Sequence, residues 1–130
     1  MKGYVPFSAL TKHVDEHIAE ILLSGELDLH ASRNLADEVA TALAPGPRLL
    51  LADLSSLTFI ATTGLSALAE ARRRANVQHA EMYVHSVSHH AVRRAFEITH
   101  AARFLNVCLT RADAIELHGF DTRSANRRSE

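Results

Sequence analysis

The chain has 130 residues and a formal charge of -1, which allows one domain with one core and favours neither nucleic acid nor an anionic membrane as a partner. Hydrophobic residues make up 47%, but 21 residues are alanine and none is tryptophan, so the expected core is thin and closely packed, without a large ligand cavity. With a single cysteine, no signal-peptide run in "MKGYVPFSAL" and no stretch near the roughly 20 apolar residues of a membrane span, the expectation is a soluble cytoplasmic protein with no disulfide and no membrane insertion.

Two short strands open the chain, "FSALTKHVD" and "HIAEILLSG", meeting in a hairpin at Asp15–Glu16, with Gly25 ending the second. "ELDLHASRNLADEVATALA" then places Leu35, Val39 and Leu43 at helical spacing; Ser32 precedes Asp37 and Glu38 as the expected helix start, and "PGP" at 45–47 stops it. In "RLLLADLSSLTFI" two apolar runs follow, the first of which, Leu49–Leu51, suits a strand buried on both faces. A helix is predicted over Gly64–Ala75, with Leu65, Leu68, Ala69 and Arg72 on one side and Glu70 spaced i,i+4 from Arg74. "AEMYVHSV" reads as a strand and "SHHAVRRAFEITH" as a helix presenting Val92, Ala95, Phe96 and Thr99. "RFLNVCL" reads as the last strand, and "TRADAIELHG" as a last short helix with Thr110 and Asp113 as its capping pair. Residues 121–130 are polar and expected to be disordered, which leaves 1–120 as the domain. The order β-β-α-β-α-β-α-β-α predicts a single α/β domain whose mixed sheet is mostly parallel beyond the hairpin, with helices packed against it.

Thr62 and Thr63, followed by Gly64, sit where a strand hands over to a helix. A threonine there can cap the helix, its hydroxyl accepting from an unpaired first-turn amide, for about 1 kcal/mol. The same position also suits a phosphoacceptor, because a helix N-terminus favours an added anion. Spacing alone leaves both readings open. The nine histidines form no metal site by local spacing: His85, His89 and His90 are close in sequence, but no Cys or carboxylate completes a set. No Ser, His and Asp order singles out a hydrolase, and Gly64 stands alone rather than in a phosphate loop, so neither an enzyme nor a cofactor is expected. The arginine runs Arg72–Arg74 and Arg93–Arg94 read as solvated helix ends, and Cys108 as inert core.

"LLLADLSSLTFIATTGLSALAEARRRA" resembles the signature of STAS domains of the anti-sigma-factor antagonist type, with "LSGELDLHAS" upstream and "VSHHAVRRAFEITHAARFLNV" downstream in matching order. The resemblance covers about residues 7 to 117 and implies a signalling module rather than an enzyme. In that family the hydroxyl before the Gly is phosphorylated by an anti-sigma factor that is itself a GHKL-type Ser/Thr kinase. The unphosphorylated antagonist binds that kinase and releases the sigma factor, and a metal-dependent Ser/Thr phosphatase resets the cycle. The match implies Thr63 as phosphoacceptor, with Thr62 as second choice. It implies a docking surface of Asp28, Ala61, Thr62, Thr63, Gly64 and Leu65. Three positions depart from the family pattern: Ala61 replaces its Asp, Thr63 its commoner Ser, and His100 the Gly that ends the third helix. STAS domains also serve as scaffold or adaptor subunits in signalling assemblies or beside ABC transporters, which is the alternative the resemblance leaves open.

Overall fold

The computed structural model describes residues 6–119. Strand β1 (Ser8–His13) turns back antiparallel onto β2 (Ile18–Leu27). The carboxylate of Asp15 closes the turn, accepting from the amides of His17 at 2.7 Å and Ile18 at 3.0 Å. Helix α1 (Leu29–Leu43), β3 (Leu49–Ile60), α2 (Thr62–Val77), β4 (Glu81–His85) and α3 (His90–Ile98) alternate from there. A 3-10 turn at Ala101–Arg103 leads to β5 (Val107–Cys108), and residues 111–119 form a last helix, α4. The five strands lie in chain order, β1-β2-β3-β4-β5, every pairing after the first being parallel. The mixed, mostly parallel α/β sheet expected from the element order is the sheet observed.

Side chains alternate across the strands and so build two faces. Ile21, Leu23, Leu50, Ala52, Leu54, Met82 and Val84 face α1, α2 and α3 and meet Leu35, Val39, Leu68, Ala71, Val92 and Phe96 in the main core. Leu49, Leu51 and Tyr83 face the other way and pack with Ala114 of α4, flanked by Ile18 and Cys108. Leu49, Leu50 and Leu51 are all fully buried, as expected of a central parallel strand covered on both faces.

Several boundaries differ from the sequence reading, each for a local reason. Helix α1 begins three residues before Ser32, because Asp28 is its N-cap and its Oδ1 accepts from the Ala31 amide at 2.9 Å. Gly25 does not end β2; at φ +83° it sits inside the strand, where the β2–β3 register shifts, and the strand runs on to Leu27. The two apolar runs of 49–60 are one bulged strand, β3. The final strand shrinks to Val107–Cys108, since the chain before it is spent in the 3-10 turn. Glu70 pairs with Arg73 at 2.6 Å rather than with Arg74, whose guanidinium instead donates to the Ala36 carbonyl of α1 at 3.1 Å. The Thr110 hydroxyl accepts from the Asp113 amide at 3.1 Å, as its spacing predicted. His100 does occupy a left-handed position, at φ +53°. The tail at 121–130, expected to be disordered, lies outside the described residues.

Candidate functional site

The start of α2 is built around one carbonyl. Leu27 ends β2, and its oxygen accepts the Ala61 amide at 2.9 Å, which fixes the end of β3 beside the start of α1. Gly64 then passes so close that a Cβ there would lie 2.4 Å from that oxygen and 2.8 Å from the Leu27 side chain. The amides of Gly64 and Leu65 both turn back onto the Ala61 carbonyl, at 2.9 and 3.0 Å, closing the first turn. Ala61 is the N-cap and brings no side-chain acceptor. The amides of Thr62 and Thr63, in the first helical turn, have no intrahelical acceptor and leave the positive end of the helix dipole open.

The capping reading of the threonines is therefore overturned. Thr62 and Thr63 lie inside the helix rather than before it, and neither hydroxyl bonds to another side chain or to the backbone among the described residues. Both are exposed. Gly64 and Leu65 are buried beneath them, while Ala61 and Asp28 are half-buried.

The first turn of α1 stands alongside. Asp28 caps α1, so its carboxylate is committed to the Ala31 amide. The Ser32 hydroxyl lies 2.9 Å from the Asp28 carbonyl and 3.5 Å from that of Thr63, spanning the two helix starts. Leu29, 66% exposed, presents an apolar side chain on the same turn. Ser32 and Leu29 escaped the sequence reading as site residues because the expected helix start fell at Ser32, leaving Leu29 in a loop. Between α1 and α2 runs a groove of about 320 Å³, with Ala36, Val39, Ala67 and Ala71 inside and Arg33 and Glu70 among its charged lining.

A second polar cluster lies on the opposite face of the sheet. Glu20, Asp53 and His85 come from β2, β3 and β4, and Arg111 reaches them from α4. Local spacing could not reveal this set, because its members are neighbours only through strand register. Cys108 lines shallow concavities nearby; burial raises its thiol pKa, and the Asp113 carboxylate adds to the shift.

The STAS domain family matches residues 9–114. The chain belongs to the STAS family. The STAS fold agrees with solved structures. An anti-sigma factor antagonist from Mycobacterium paratuberculosis superposes with a TM-score of 0.74 at 23% identity, over 86% of this chain and 93% of that one. The Bacillus cell fate determinant SpoIIAA in its phosphorylated form gives 0.61 at 20% identity, over 84% and 97%. SLC26A9 gives 0.68 at 14% identity, over 85% of this chain but 21% of that one, so the STAS chain spans about a fifth of it. At these identities the likeness shows the fold alone. No curated protein sequence matches the STAS chain. Among the described residues no helix is long and apolar enough to cross a membrane.

Proposed function

We propose that this STAS domain is an anti-sigma-factor antagonist, a cytoplasmic binding module without catalytic activity, switched off by phosphorylation of Thr63. Its partners are a GHKL-type kinase acting as the anti-sigma factor and a metal-dependent Ser/Thr phosphatase that resets it. The observation that carries this reading is an exposed, uncommitted hydroxyl one residue before Gly64, in a helix turn whose amides are open. An added phosphate brings roughly -1.5 to -2 charges to that turn. The helix end tolerates them, but a partner covering Thr63 and the apolar Leu29 must desolvate them, at a cost of several kcal/mol. Each 1.4 kcal/mol is about tenfold in affinity, so one modification is enough to release the complex.

The docking surface in this reading is the exposed pair Thr62 and Thr63 with Ala61, Asp28 and Leu29 around them, supported from below by Gly64 and Leu65. The test is intact-mass spectrometry after incubation with ATP and kinase-type anti-sigma factors of the source organism. The expected result is one added phosphate that maps to Thr63 and is lost in Thr63→Ala, with Thr63→Glu binding the kinase more weakly than Thr63→Ala. Equal binding by the two variants would refute the switch, and a phosphate on Thr62 would move it one residue.

Ala61 favours a second reading. It supplies neither a cap nor the family's carboxylate beside the acceptor, and SLC26A9 carries a similar fold within a much longer chain. In that reading the same surface is a permanent docking face of a scaffold or adaptor subunit. A stable complex that forms without any phosphate transfer would favour it.

A further inference from the structure

The sheet face under α4 carries Leu49, Leu51 and Tyr83, with Glu81 meeting His118 at one end and a buried polar cluster at the other. Glu20 is fully buried there and His85 is 2% exposed. The register sets Asp53 directly opposite His85 and Glu20 opposite Leu51, two residues before Asp53, so three neighbouring strands aim their side chains at one spot. One donor atom from each of Glu20, Asp53 and His85 lies within 4.8 Å of the others. We propose that these three side chains form a divalent transition-metal site, suited to Zn²⁺, and that Arg111 is the cation a bound ion displaces.

The donor chemistry suits the ion. One imidazole and two carboxylates make a three-ligand zinc set with a fourth position left for water; bonds of about 2.0–2.2 Å need the His85–Glu20 contact to open and any wider donor separation to close around the ion. His85 is also supported from behind: its Nδ1 lies 2.8 Å from the Ser86 hydroxyl. His85 Nε2 now meets Glu20 Oε2 at 2.7 Å, a contact in which the nitrogen donates to the carboxylate. An ion on Nε2 would require the other neutral tautomer, the Nε2 proton passing to water and a proton from water going to Nδ1, whose N–H would then donate to Ser86 Oγ as outer-shell support.

Charge supplies the drive. The Arg111 guanidinium reaches Glu20 through Nε at 3.0 Å and through a terminal nitrogen at 2.5 Å, and the register sets Lys12 of the edge strand opposite Glu20. Asp53 uses one oxygen to accept the Ser55 amide at 2.9 Å. Glu20 cannot leave the interior, whereas the Arg111 side chain is 41% exposed and can swing into water. A divalent ion in its place would answer both carboxylates at once, and α4 would lose the Arg111–Glu20 pair while keeping the contact of His118 with Glu81 of β4. This inference does not depend on the switch at Thr63.

The experiment uses the full chain, freed of metal with a chelator, and Co²⁺ as a spectroscopic probe that Zn²⁺ then displaces. The expected result is one Co²⁺ per chain, with visible absorption of a low-coordinate site. Affinity should fall about tenfold or more in Asp53→Asn and His85→Gln and rise about tenfold in Arg111→Gln. Hydrogen exchange across 111–119 should quicken when the ion binds. Asp53 is only half-buried, so Asp53→Asn carries the test if His85→Gln fails to fold. Spectra and affinity unchanged in Asp53→Asn would place the ion on surface imidazoles and overturn the site. Failure of Arg111→Gln to tighten binding would overturn the displacement.

Discussion

Gly64 is glycine for want of room rather than for a special backbone angle. Its missing Cβ makes way for the Leu27 carbonyl, and restoring it forces α2 away from the end of β2. Gly64→Ala is therefore expected to destabilise by about 1–3 kcal/mol, the range for overfilling a packed site, read as a lower urea midpoint at unchanged slope. The same variant should weaken partner binding, because the exposed turn above it would shift. His100 poses the opposite problem. It holds φ +53° with a full side chain, a conformation that costs a non-glycine residue about 1–2 kcal/mol. Less a smaller entropy cost of glycine, His100→Gly should raise the thermal midpoint by a few degrees. Unchanged or lowered melting would show that the His100 ring makes compensating contacts.

At the level of elements, the helix starts were the least legible part of the sequence. The apolar spacing of Leu35, Val39 and Leu43 identified α1 correctly, since a buried face leaves a period of 3.6 in the sequence. It did not reveal that Asp28 caps the helix, because Leu29 and His30, the first two helical residues, are exposed and add nothing to that pattern. For α2 the two threonines resembled a cap, yet the chain places them one step later, since the Ala61 amide is taken by Leu27. The Glu20, Asp53 and His85 cluster was illegible for a different reason: strand register decides it, and no short window of sequence records register. The Asp28 cap can be checked directly. Asp28→Ala should cost about 1 kcal/mol and Asp28→Ser much less, because serine keeps an acceptor for the Ala31 amide. Equal losses in chemical denaturation would mean that the carboxylate acts through something other than the cap.

Across the whole molecule, stability should be graded from the middle of the sheet outward. β3 is paired on both sides and covered on both faces at Leu49–Leu51, while β5 offers a two-residue pairing at the edge and β1 an edge strand with Leu10 64% exposed. Native-state hydrogen exchange is expected to find the slowest amides in β2, β3 and β4, and opening at much lower free energy in β1 and β5. Uniform protection across all five strands would contradict this gradient.

The order of the strands bears on how the protein is made. Because each strand lies beside the next one in the chain, nothing synthesised late must be threaded between elements synthesised early. The pairing of β3 on both edges needs only β2 and β4, so a nascent chain can add each strand to a finished edge as it leaves the ribosome. Each strand pairs with its neighbour in the chain, which keeps the loop closed at each step as short as a parallel crossover allows and limits its loop-closure entropy. An arrest-peptide force profile should accordingly register folding once β4 has cleared the exit tunnel, before β5 and α4 exist. A force peak only at full length would show instead that the C-terminal elements are needed to close the fold.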